Sequence, residues 1–206
     1  MSKLFIENAL IIPCDGQIRR QAWISGDIAI CDGVIKEVGP GLRAAYADYE
    51  LIEGKGSLVI PGFVNCHTHA AMTLLRGYAD DLPLMEWLSQ KIWPREAFLL
   101  DNDIYWGTQL AVLEMIKSGA TCFADMYFFM NSIAQAVSAG GIRAVLARGM
   151  VGTGPAAEQA FEESTEFVRN WQGQAEGRIT CMLGPHAPYT CPPPYLERVM
   201  ELADTL

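Results

Sequence analysis

Three histidines occur in the 206-residue sequence, and two of them flank Thr68 in the run Phe63-Val64-Asn65-Cys66-His67-Thr68-His69. In an extended strand, side chains at i and i+2 leave the same face, so both imidazoles point one way and Thr68 the other. Two neutral imidazoles converging at the end of a buried strand are half of a metal site, since histidine nitrogens bind Zn²⁺ at roughly 2.0–2.1 Å. The chemistry this suggests is hydrolytic, because a divalent ion lowers the pKa of its water from 15.7 to about 7. The plain alternative is a pair of polar residues at a strand end. Three further side chains are candidates. Glu96, in Trp93-Pro94-Arg95-Glu96, is a carboxylate with up to four acceptor sites, or a solvated carboxylate at a helix start. Arg148, in Ala147-Arg148-Gly149, sits where a strand ends, either facing a ligand or held in an ion pair with a loop carboxylate. His186 ends another apolar run and reads as a third metal ligand, a substrate contact or a buried structural histidine. Asp125 is expected to point inward and to orient a neighbour by hydrogen bond.

Positioning these groups falls to two kinds of element. Residues 1 to about 59 read as short strands with turn punctuation, namely Leu4–Ile12, Ala22–Ile30 and Val34–Val38, the last two joined by Cys31-Asp32-Gly33 as a hairpin. From Leu58 the rhythm becomes βαβ. Leu58–Asn65 is the first strand, followed by a loop with the two histidines. Leu84, Trp87, Leu88 and Ile92 make a helical stripe that ends before Pro94. Asp101 to Lys117 is a helix with Asp101 or Asn102 as N-cap. Thr121–Tyr127, Arg143–Val151 and Arg178–Gly184 are the next strands, with helices at Ser132–Ser138, Ala156–Trp171 and from Tyr195. The predicted fold is α/β: about four β-α units of a partial (β/α)8 TIM-type barrel over 60–206, preceded over 1–59 by strands of a small β-sandwich domain. A closed barrel takes eight units and about 250 residues.

Composition sets outer bounds. Half the residues are apolar and the formal net charge is −9, so no basic stripe exists to displace phosphate counterions, and a nucleic-acid partner is excluded. No apolar run approaches the ~18 residues of a membrane span. Glu7 and Asn8 break the N-terminal apolar stretch, which is not a signal peptide. The six cysteines contain no Cys-x-x-Cys pair and read as buried free thiols in a reducing cytoplasm.

Three segments carry a resemblance. Phe63 to Met72, Leu75-Arg76-Gly77-Tyr78-Ala79-Asp80-Asp81-Leu82-Pro83-Leu84, and Gly184-Pro185-His186-Ala187-Pro188-Tyr189-Thr190 resemble, in order, the amidohydrolase superfamily. Within it they are most similar to the 5-methylthioadenosine/S-adenosylhomocysteine deaminases. The resemblance spans essentially the whole chain. It implies a metal-bearing (β/α)8 barrel and a β-sandwich built from both chain ends. His67 and His69 match the first two metal ligands, and Glu96, Arg148 and His186 match substrate contacts, Glu96 through ribose hydroxyls. The implied reaction is hydrolytic deamination of an adenosine-type thioether nucleoside; no residue of this chain is assigned the general acid–base role. Related readings are a ring aminohydrolase or chlorohydrolase acting on guanine or triazines, and a non-catalytic half-barrel that self-associates. No lysine follows Lys117, so a bridging modified lysine on the fourth strand is excluded and one metal is expected. Zn²⁺ is favoured, although imidazole also suits Fe²⁺. No arginine lies between Arg148 and Arg169, so a further substrate-contacting arginine of some members has no counterpart. The cytidine-type zinc signature is absent.

The family's remaining ligands, a His-x-x-Glu, a further His and an Asp, would follow His186, the last histidine here. A catalytic metal normally keeps three protein ligands plus water, and an isolated half barrel leaves strand edges unpaired. The sequence therefore reads as the N-terminal part of a longer enzyme that needs its C-terminal half, with a homo-oligomer as a further expected assembly.

Overall fold

Asp32 and Gly33 take positive φ angles of 50° and 72°, the backbone that a two-residue hairpin turn demands. They join β2 (Ile24–Cys31) to β3 (Val34–Gly39), with Cys31 opposite Val34. The computed structural model describes residues 2–16 and 23–206; Ala22, the expected start of β2, lies outside them. The chain divides into two units, Met1–Pro61 and Gly62–Leu206.

The first unit is one five-stranded sheet. β1 (Lys3–Ile11) pairs antiparallel with β2 and parallel with both β4 (Glu50–Glu53) and β5 (Leu58–Val59). The β1–β2 register slips between Ile6 and Ala9. Asp27 accounts for the slip: its buried carboxylate accepts the Asn8 N–H and the Leu42 N–H, both at 2.9 Å. Ala9, Ile11 and Ile28 are buried on one face, while Phe5 is buried on the other, against Tyr46.

The second unit is a parallel sheet with helices. β6 (Phe63–Thr68), β7 (Ala120–Tyr127) and β8 (Arg143–Met150) lie side by side, and the far edge of β8 takes β9 (Ile179–Cys181) and then β10 (Gly184–Pro185). Together these make four barrel-type strands. Between β6 and β7 come a 3₁₀ turn (Ala70–Leu75), a helical segment and α3 (Asp101–Lys117). The helical segment is α1 (Leu84–Trp87), a π turn (Leu88–Ile92) and α2 (Trp93–Glu96). α4 (Met130–Gly140) and α5 (Ala157–Trp171) follow, then the single turn α6 (Gln174–Gly177) and α7 (Pro193–Ala203). Phe123, Leu146, Ile104, Ile133, Val137 and Ile179 are fully buried between sheet and helices. No helix among the described residues is long and apolar enough to cross a membrane.

Several expectations are corrected. Leu58–Asn65 is not one strand: Pro61 and Gly62 interrupt it, so Leu58–Val59 joins the first sheet and Phe63 starts the second. β6 is not buried either. It is an edge strand, and Phe63 and Val64 are each 60% exposed. The helical stripe does not stop before Pro94. In the π turn the Trp93 N–H reaches the Leu88 carbonyl, five residues back, and Pro94, which has no N–H to give, opens α2. The N-cap of α3 is Leu100, whose N–H donates to Asp103 Oδ2 at 3.0 Å. Asp101 is occupied elsewhere, accepting the Ser132 hydroxyl at 2.8 Å. The fourth strand is broken at Met182-Leu183, and α7 begins two residues before Tyr195 because Pro193 and Pro194 fit a first turn. Of the six free thiols only Cys191 is buried, Cys14 and Cys66 being exposed; partial burial pushes the Cys181 thiol up to about 11.

Gly107 is where α3 meets the 3₁₀ turn that follows His69. A Cβ there would lie 2.6 Å from the Ala71 carbonyl oxygen, and the Thr73 hydroxyl donates to the Gly107 carbonyl at 2.6 Å. Gly107→Ala gains about 1 kcal/mol of helix propensity. Forcing two backbones apart costs about 1–3 kcal/mol. The substitution is therefore expected to lower the urea midpoint; a raised midpoint would show that the contact yields freely.

Candidate active site

The C-terminal end of β7 reads Asp125-Met126-Tyr127, and each of the three holds a different part of the site. Asp125 is 1% exposed. Its Oδ1 accepts the Thr68 hydroxyl at 2.6 Å and the Ala70 N–H at 2.7 Å, bracketing His69. Burial pushes its carboxyl above the usual range, opposed by those two hydrogen bonds and by His69. Among the described residues, Oδ2 is buried with no hydrogen-bond partner. The strand's alternation puts Asp125 on the helix side with Phe123, so it does not point inward as the sequence suggests. Its neighbour-orienting contacts are nevertheless present.

Met126 supplies a carbonyl oxygen 2.6 Å from His69 Nδ1. A carbonyl only accepts, so Nδ1 carries the proton and the Nε2 lone pair is left for another partner. This is the arrangement in which metal-binding histidines are held. The two imidazoles behave as their spacing predicts: the ring centres of His67 and His69 are 5.4 Å apart, while Thr68 turns to Asp125. Two imidazoles on one tetrahedral ion, at nitrogen distances of about 2.0–2.1 Å, place their centres about 5.2 Å apart. The pair therefore fits two ligand positions of a zinc-type centre. Among the described residues no group of three His, Cys, Asp or Glu side chains gathers to complete one, and His186 does not join the pair.

Tyr127 donates its hydroxyl to Glu96 Oε1 at 2.5 Å. Burial, reinforced by the Glu96 carboxylate, holds that hydroxyl protonated well above the ordinary tyrosine range.

A cavity of about 430 Å³ lies over these strand ends, and its wall includes His69, Glu96, Arg148 and His186. Trp87 and Trp93 line it too, rather than serving only as core, together with Phe128, Val151 and Tyr189. His67 faces an adjoining cleft of about 220 Å³ that shares His69 and Met126 with the larger space. Arg148 lines the cavity, and its Nε donates to Glu163 Oε2 at 2.8 Å, the ion pair that was one of its two alternatives. The carboxylate partner comes from α5, not from a loop. Arg148 also donates to the Gly149 carbonyl. His186 Nδ1 lies 3.1 Å from the Thr190 hydroxyl, with its ring edge-on to Tyr189. Within residues 149–155, the Gly152 N–H donates to the Thr190 carbonyl at 2.9 Å. Sequence reasoning missed Met126 and Tyr127. The available signal was the strand end itself, two residues beyond the Asp125 it had noted.

The Amidohydrolase family model matches residues 58–206. A 5-methylthioadenosine/S-adenosylhomocysteine deaminase of Syntrophomonas wolfei is 59% identical over 206 residues, covering 99% of this chain and 47% of that protein. An adenosine deaminase from Xanthomonas campestris, solved with bound zinc, is 33% identical, with a TM-score of 0.81 over 99% of this chain and 47% of its own. The atrazine chlorohydrolase of Arthrobacter aurescens TC1, complexed with zinc, has a TM-score of 0.86 at 20% identity, covering 98% of this chain and 51% of its own, which shows a shared fold. The chain spans about half the length of the curated relatives it matches.

Two measurements check these contacts. Asp125→Ala leaves the buried Ala70 N–H without its acceptor, a cost of about 1–3 kcal/mol, whereas Asp125→Asn keeps an oxygen there. Urea midpoints should fall clearly for the first and little for the second; equal losses would mean the carboxylate charge, not the acceptor, matters. The raised Tyr127 pKa predicts a stabilising contribution that is complete below about pH 10, the ordinary tyrosine value, and declines as pH rises beyond it. The stability gap between the native protein and Tyr127→Phe should narrow from pH 9 to pH 11 in thermal unfolding, and a constant gap would contradict it.

Proposed function

We propose, given that the chain belongs to the amidohydrolase family, that it forms part of a metal-dependent aminohydrolase acting on an adenosine-type thioether nucleoside. The products are the inosine analogue and ammonia. The observation that carries this reading is the convergence of His69, Glu96, Arg148 and His186 on one cavity, with the His67–His69 pair at its edge. The name carried by the 59% identical relative supports methylthioadenosine and S-adenosylhomocysteine as the substrates.

His67 and His69 hold the ion, and the zinc in the adenosine deaminase structure favours Zn²⁺, with Fe²⁺ as the alternative. When bound, such an ion supplies water acidic enough to act as hydroxide near neutral pH, its pKa falling from 15.7 to about 7. The remaining work belongs to side chains. Met126 keeps the His69 proton on Nδ1, so Nε2 stays a lone-pair donor. Glu96 accepts hydrogen bonds from ribose hydroxyls. His186 and Arg148 contact the substrate from the ends of their strands, and Glu163 fixes the Arg148 guanidinium. Trp87, Phe128 and Tyr189 give the ring flat apolar walls and displace water from it. The third metal ligand and the groups that move protons come from sequence outside this chain, the C-terminal half of a complete barrel. Six free thiols support a reducing, cytoplasmic setting.

The test is ammonia release by the zinc-loaded, full-length protein. Methylthioadenosine or S-adenosylhomocysteine should be deaminated in preference to guanine or a chlorotriazine. Preference for either of the latter would move the assignment to another ring hydrolase, and no release from any would favour a non-catalytic module. His69→Ala should reduce bound zinc from about one equivalent to near none by metal analysis; retention of the metal would remove His69 from the site.

A further inference from the structure

Glu96 occupies the last turn of a helical segment made of two single-turn helices separated by a π turn. Helices this short have little stability of their own, so something else must fix the carboxylate. That tie is the Tyr127 hydroxyl, 31 residues away in sequence.

We propose that Tyr127 is a positioning residue for sugar recognition, its hydroxyl setting Glu96 so that the second carboxylate oxygen meets the vicinal diol of a ribosyl substrate. The inference rests on the reading of Glu96 as the ribose acceptor. A phenol has one proton to give, and here it goes to Oε1. Among the described residues, Oε2 accepts no hydrogen bond. Its two lone pairs match two adjacent hydroxyls in number. Tyr127 is itself well held, being 7% exposed and stacked on Phe128 with ring centres 4.0 Å apart. Its ring centre is 6.1 Å from that of His69. The adjacent Met126 carbonyl holds the His69 imidazole, so one dipeptide at the end of β7 sets both the imidazole and the carboxylate. The spacing between the reacting end of the substrate and its sugar is thereby fixed by a strand, not by the helical segment.

Steady-state kinetics of the full-length, metal-loaded protein on methylthioadenosine and its 2′,3′-dideoxy analogue test this. Tyr127→Phe keeps the buried ring and removes only the donor. It should raise KM for the ribonucleoside about tenfold, as for loss of a hydrogen bond to a charged group. It should leave kcat, and KM for the dideoxy analogue, within about twofold. In a Glu96→Gln background the same change should add little, because the pair acts as a unit. An equal rise in KM for both substrates would reduce Tyr127 to a structural clasp and overturn the inference, as would an unchanged KM for the ribonucleoside. If Glu96→Gln discriminates between the sugars while Tyr127→Phe does not, this inference fails and the Glu96 reading stands. If the native protein itself does not distinguish the two sugars, the Glu96 reading fails and this inference with it.

Discussion

Between β6 and β7 the regular register breaks after Asn65 and resumes at Thr68, and across that break the Asp125 carboxylate takes over as the acceptor. It holds the Thr68 hydroxyl on one side of His69 and the Ala70 N–H on the other. A buried carboxylate is costly unless hydrogen-bonded, and here one oxygen has two donors while the other has none. What the protein obtains is a strand end that cannot rotate: with Thr68 drawn to the helix side, both neighbouring imidazoles must face the opposite way. The Met126 carbonyl then fixes the tautomer of one of them.

Much of this was legible in the sequence for identifiable reasons. The Asp32-Gly33 turn has one comfortable backbone solution. α3 was read over its observed span, Asp101–Lys117, although its N-cap is Leu100 and not Asp101 or Asn102. The face shared by His67 and His69 follows from strand geometry alone. The errors have equally physical sources. Leu58–Asn65 is continuously apolar, and no periodicity distinguishes one strand from two that serve different sheets; Pro61 and Gly62 were the only warning. Pro94 looked like a helix stop because an α-helical ladder needs the N–H that proline lacks, but a π turn ahead of it removes that need. Glu96, Arg148 and His186 lie far apart in sequence, and their presence on one cavity wall comes from topology. The place of Tyr127 at a strand end was legible, but the partner of its hydroxyl, Glu96, arrives from a segment whose geometry no local rule supplies.

Arg148 shows how one side chain can line a cavity and sit in an ion pair at once. Its guanidinium is bound by Glu163 of α5 while the side chain still forms cavity wall. A pre-paired arginine presents a fixed fork with its charge largely balanced.

The division of the 58–65 segment reaches back to the making of the chain. β5 is the last strand of the first sheet, and it is complete at Val59, before any residue of the parallel sheet is needed. On the ribosome, chains lengthen at about 5–20 residues per second and N-terminal units form first. The five described strands of the first sheet therefore emerge several seconds before β7, which starts about 60 residues after Val59 and is the partner that β6 pairs with. The Pro61-Gly62 break makes the two sheets separate events in time. Pairing with β1 ends at Val59, and the strand that carries His67 begins in the other sheet.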